Sequence, residues 1–92
     1  MKVHGIVCKK CNTFIFSRSV HDFHFCPCEA CAIDGGQNDY VRIIGNQEDW
    51  EGGYEMDLGD KVTSQMLFDD YSRGIDKYGN VKLPNDKVKK RV

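Results

Sequence analysis

Ninety-two residues, 40% of them hydrophobic, fit one small domain and leave no room for a second independent core. The formal net charge of −1 argues against a uniformly basic partner for nucleic acid. No apolar run approaches the ~18–20 residues of a membrane span, so no membrane partner is expected.

In chain order, residues 2–7 and 13–17 read as short strands on either side of a Cys-Lys-Lys-Cys turn, because β-branched and aromatic residues flank a tight reversal. Residues 18–22 are polar and read as a loop. Residues 23–26 read as a third strand, and 31–34 as a short apolar stretch stopped by Gly35 and Gly36. Residues 40–44 (YVRII) form the best strand pattern, ended by Gly45 and Asn46. Residues 47–51 fit one helical turn capped by Asn46, with Glu48 and Asp49 where the helix dipole favours acids.

Gly52 and Gly53 end that element. Residues 60–73 make the one predicted helix, with Asp60 as its cap, a stripe of Val62, Met66, Leu67 and Tyr71, and Gly74 as its stop. Residues 75–83 read as a small hairpin turning at Tyr78–Val81, and 84–92 as a basic tail. The expected fold is small α+β: a zinc ribbon elaborated into an antiparallel sheet, with one C-terminal helix and a short hairpin. Residues 1–53 are the expected ribbon core, and 54–92 an extension packed on or against it.

The five cysteines, at 8, 11, 26, 28 and 31, all fall in the first third of the chain. Disulfide frameworks spread an even number of cysteines along a secreted chain, and no leader-like segment opens this one. The cluster therefore points to the cytoplasm and to a structural Zn2+. Cys8-x2-Cys11 supplies half a tetrahedral site. The other half is either Cys26-x-Cys28 or Cys28-x2-Cys31, the latter a standard ribbon spacing. His21 and His24 can replace a thiolate, although a nearby histidine more often packs beside such a site.

A resemblance bears on that choice. The string CKKC, then His21-Asp22-Phe23, Cys26-Pro27-Cys28, Ile33-Asp34-Gly35-Gly36 and finally YVRIIGN at 40–46 resembles a family of small, uncharacterised phage proteins. Those proteins have a Cys-x-x-Cys start, an HDF segment, a Cys-x-Cys-Gly turn, an apolar-Asp-Gly-Gly strand end and a Tyr-x-Arg-x-x-Gly-Asn segment. The likeness covers about residues 5–51 and leaves 54–92 beyond it. Glu29 stands where the family usually has glycine, and Cys31 where it has an aliphatic residue. The resemblance thus implies Cys8, Cys11, Cys26 and Cys28 as ligands, with Cys31 as the alternative. It carries no activity.

Four thiolates would close the metal's coordination shell, and no oriented nucleophile–base pair stands out, so the chain is not expected to be an enzyme. Charge is segregated: residues 29–70 hold eleven acids against Arg42 and Lys61, while both flanks are basic. The expected role is protein–protein interaction with a host factor, as in an inhibitor of a defence system. Glu48, Asp49, Trp50 and Glu51 form the candidate surface, an aromatic among acids; Trp50 packed on the sheet is the competing reading. A nucleic-acid-binding regulatory ribbon would instead use Lys9, Lys10 and Lys87–Arg91. A binder of a small anionic signal would use Arg18, Arg42 and the Gly35–Gly36 turn.

Overall fold

The computed structural model describes residues 1–37 and 41–91. Strand β1 (Lys2–Cys8) turns through the Cys-Lys-Lys-Cys segment into β2 (Thr13–Ile15), and the pair is antiparallel with Cys8 opposite Thr13. Short strands β3 (His24–Phe25), β4 (Ala32–Asp34) and β5 (Arg42–Ile44) follow and make a three-stranded antiparallel sheet in that order. Tyr40, predicted to open the strand at 40–44, lies outside the described residues. A 3-10 turn at Gln47–Asp49 leads into β6 (Trp50–Asp57), then helix α1 (Ser64–Ser72), β7 (Asn80–Lys82) and β8 (Val88–Lys90). The larger sheet has the order β7-β2-β1-β6-β8, and every pairing is antiparallel. The molecule is mostly β with one helix among the described residues. That helix is not long and apolar enough to cross a membrane.

Two cores arise from the period of two along a strand. Odd residues of β1, Val3 and Val7, join Phe14, Phe16, Met56 and Leu67 of α1 on one face of the large sheet. Even residues, Ile6 and Cys8, join Ile15, Ile33, Cys26 and Cys31 on the other. Each face of β1 is thus buried against a different partner: the helix on one side, the small sheet and cysteines on the other.

Four sequence expectations need correction. The segment after Trp50 is not the end of a helical turn but the longest strand. Its two glycines are absorbed as a bulge, since Gly5 pairs with Tyr54 and Val7 with Glu51, leaving Gly52 and Gly53 opposite Ile6. Gly53 sits at φ 81°, a left-handed conformation that glycine adopts without Cβ strain. Residue 53, taken from sequence as the end of the ribbon core, falls inside this strand. The helix starts later than predicted. Thr63, not Asp60, caps it, its hydroxyl accepting from the Met66 amide at 3.2 Å. The helix turns Leu67 and Asp70 inward and leaves Met66 38% exposed, so the predicted stripe is only partly the buried face.

The hairpin expected within 75–83 does not form on itself, because β7 adds to the edge of β2, with Val81 opposite Phe14. The expected basic tail is strand β8, hydrogen-bonded to β6 with Val88 opposite Met56. Both strands supply backbone partners to edges that would otherwise stay open.

Candidate metal centre

Cys8 ends β1 and Cys11 lies in the turn that follows it. The turn closes on Asn12 at φ 52°, with the Thr13 hydroxyl donating to the Cys11 carbonyl at 3.0 Å. Cys26 and Cys28 belong to a second turn, where the Glu29 amide donates to the Cys26 carbonyl at 2.9 Å and the Cys26 amide to the Cys31 carbonyl at 3.0 Å. Glu29 takes φ 62° there. It thus adopts the left-handed geometry that explains why glycine is the ordinary choice in such a turn.

The two turns bring four sulfurs together. The Sγ atoms of Cys8, Cys11, Cys26 and Cys28 all lie within 4.8 Å of one another. Cys28 Sγ is 3.6 Å from both Cys8 and Cys26. Four cysteines this close can hold a metal ion. Cys8 and Cys26 are buried, Cys11 half-buried and Cys28 exposed, so the cluster lies at the rim of a core.

Cys31 stands just behind the cluster. It is 1% exposed and its thiol donates to Cys26 Sγ at 3.8 Å. His21 is exposed and makes no part of the group. His24 is buried elsewhere.

The electrostatics of the bare thiols show what the arrangement needs. Burial pushes the Cys26 thiol up, but the Cys31 backbone and the neighbouring thiols outweigh it and bring Cys26 down to about 6. At Cys28 the Ala30 amide favours the thiolate; burial and the Cys26, Cys8 and Cys11 sulfurs prevail and push it up to about 12. Burial also opposes the Cys11 thiolate, but the Thr13 hydroxyl and the Cys28 backbone outweigh it and lower Cys11 too. Cys28 is raised, so negative charge does not spread over all four sulfurs unaided. Only a cation at the centre makes all four thiolates favourable together.

Trp50 pairs opposite Cys8 and packs half-buried against this core, its indole N–H buried without a hydrogen-bond partner. The acids beside it are engaged within the chain. Asp49 lies 3.9 Å from Lys10, and Glu51 binds Lys90 and accepts from the Tyr54 hydroxyl at 3.3 Å. Glu48 is exposed. The four residues adjoin the cluster but do not form a free acidic face.

The residues considered for a small anion separate in space. Arg42 lies on β5 with its guanidinium 2.5 Å from Asp34. The Gly36 amide donates to the Ser17 hydroxyl at 2.8 Å, as part of the turn. Arg18 is buried in a polar network that sequence reasoning did not find. Its guanidinium grips both Asp22 oxygens, Nε at 2.7 Å and Nη2 at 3.1 Å, and places Nη1 2.7 Å from Asp70. His24 lies between Arg18 Nη2 at 3.2 Å and the Asn80 amide oxygen at 2.7 Å.

Asp70 also accepts from the backbone amides of Lys77 and Tyr78 at 2.8 and 3.2 Å. A Cβ on Gly79 would meet the His24 ring at 2.5 Å, so that position admits only glycine. Burial would raise Asp22 and Asp70. Their bonds, from His24 and Arg18 to Asp22 and from Arg18, Lys77 and Tyr78 to Asp70, hold both carboxyls below the usual range. For His24, burial opposes the charge, but Asp22 and Asn80 raise its pKa overall. The signal present in the sequence is the Arg18, Asp22 spacing of four together with an acid three residues after Leu67, on the inward side of the helix.

Residues 2–45 match the model of a domain family of unknown function (DUF7695). The matched stretch runs from β1 through β5 and contains all five cysteines. It stops short of β6, whose Trp50 pairs opposite Cys8 and packs against the same core. No curated protein and no solved structure gives a match.

Proposed function

We propose that this chain is a zinc-stabilised, non-catalytic interaction module of a phage, acting in the host cytoplasm by binding a host protein, such as one that serves defence. The observation that carries the reading is the set of four cysteine sulfurs gathered from two turns, the donor set of a structural zinc site. Soft thiolates in a tetrahedral arrangement suit Zn2+ better than Mg2+ or Ca2+. Such a site holds two turns together and leaves no coordination position for a substrate. Its role is then to make a small sheet rigid enough to present a surface.

The surface that best suits a protein partner is the outer face of the three-stranded sheet. Phe25 and Ile44 flank the buried Ala32 in register across it, and the Phe23 ring meets that of Phe25 at 5.2 Å between centroids, tilted by 48°. Phe23, Phe25 and Ile44 are 44%, 47% and 43% exposed, and adjacent exposed apolar side chains of this kind mark interaction sites. The acidic segment at 48–51 is a weaker candidate, given its internal ion pairs. The same pairs engage Lys10 and Lys90, which lowers the case for a nucleic-acid surface.

Two measurements test the reading. Purified protein should carry about one zinc per chain, and chelation should unfold the cysteine-side core, because metal binding and folding are coupled. A Phe23→Glu/Phe25→Glu variant should keep its metal and fold yet lose a nuclease-resistant partner captured from bacterial lysate by the unsubstituted chain. Metal-free protein that is fully folded would end the zinc reading. Capture that disappears on nuclease treatment would replace the protein partner with nucleic acid.

A further inference from the structure

Cys28 and Cys31 share a sulfur neighbour, Cys26. Cys28 approaches Cys8 and Cys26 from the solvent side, at 3.6 Å from each. Cys31 approaches from the core side, 3.8 Å from Cys26. It packs in the same core cluster as Cys8. The backbone already ties the two ends of this loop, through the Cys26 amide on the Cys31 carbonyl. Cys31 is therefore held close to the cluster whether or not Cys28 is present.

We infer that Cys31 is a reserve metal ligand: when Cys28 is lost or blocked, the ion is held by Cys8, Cys11, Cys26 and Cys31. This rests on the metal reading given above and extends it. Cys28 is the exposed member of the cluster, so electrophiles and oxidants reach it first. Cys31, at 1% exposure, is shielded from the same reagents. Exchange would replace one thiolate by another, with the Cys31 proton passing to solvent as the sulfur binds. The coordination shell would then keep four sulfurs and its charge, and the fold would keep its metal.

Cobalt(II) loading tests this, because the intensity of sulfur-to-cobalt charge transfer reports how many thiolates bind. The unsubstituted chain and Cys31→Ser should both give a four-thiolate spectrum. Cys28→Ser should give the same four-thiolate intensity, and Cys28→Ser/Cys31→Ser should fall by one ligand's share. As a second route, cobalt-loaded chain alkylated once, at Cys28, with N-ethylmaleimide should retain its metal, whereas alkylated Cys31→Ser should release it more readily. A Cys28→Ser spectrum identical to that of the double variant would overturn the inference, as would a Cys28→Ser chain that fails to fold with cobalt present. An unsubstituted chain that takes up no cobalt would overturn the metal reading itself, and this inference with it.

Discussion

At the scale of single residues, the decisive groups are those whose charge is buried. Arg18 and Asp70 have side chains only 7% and 3% exposed, and their contact joins the loop before β3 to the helix. Removing one partner leaves the other's charge uncompensated, a loss of about 3–5 kcal/mol. Arg18→Met is expected to destabilise by that order in urea denaturation, and by more than Asp76→Asn, whose carboxyl is 47% exposed at 3.4 Å from Arg18. The pH dependence follows from the directions of the shifts. Asp22 and Asp70 have folded pKa values below their ordinary 3.8, so their contribution is present above that value and is lost as pH falls through the folded pKa. His24 has the opposite sign. With its pKa raised above 6.5, its contribution is complete below that value and is lost as pH rises through the folded pKa. Denaturation curves should therefore show stability declining at both limbs, and His24→Gln should flatten the alkaline one most, with a smaller loss on the acid limb because His24 helps to hold Asp22 low.

At the scale of elements, local rules and tertiary pairing divide the outcome. The first hairpin could be read from the chain because its chemistry is local: β-branched residues on both sides of a tight Cys-x-x-Cys turn. A cysteine cluster could be read for the same reason, but its second pair could not: spacing left Cys26-x-Cys28 and Cys28-x2-Cys31 both open, and only the family resemblance pointed to the first. Strand β6 could not, because its two glycines resemble a stop until Ile6 of β1 is seen opposite them. Strands β7 and β8 were hidden differently: three residues each, they hold their conformation by adding to β2 and β6 and have too little pattern of their own. The Arg18 network joins residues 52 apart in sequence, beyond the reach of any periodicity. The helix start turned on a choice between two capping residues three apart. Thr63→Ala is expected to cost about 1 kcal/mol, measured by thermal or urea unfolding. Asp60→Ala should change stability by less than about 0.5 kcal/mol, and the reverse ranking would contradict the capping seen here.

At the scale of the whole molecule, the late part of the chain completes what the early part begins. The match to the domain family covers β1 to β5, yet β1 is flanked on one side by β6, and β6 in turn by β8. Strand β8 also carries Lys90, which binds Glu51, the neighbour of Trp50 in β6. A chain ending at Asp86 should therefore leave the β6 edge unpaired. It is expected to unfold at lower urea concentration than the full chain and to associate more readily, as sedimentation would detect. Equal stability and unchanged mass would show that β8 adds little.

Because β1 sends alternate side chains to two different cores, its length obeys a parity rule. One residue inserted or removed between Lys2 and Cys8 would exchange the destinations of everything on the inserted side of the change, turning valines toward the small sheet or the Cys8 sulfur toward the helix. A two-residue change preserves both addresses and only shifts the pairing along β2 and β6. Among descendants of this sequence, length variation in the first strand should therefore come in even steps, and an odd step should survive only where a compensating bulge restores the count.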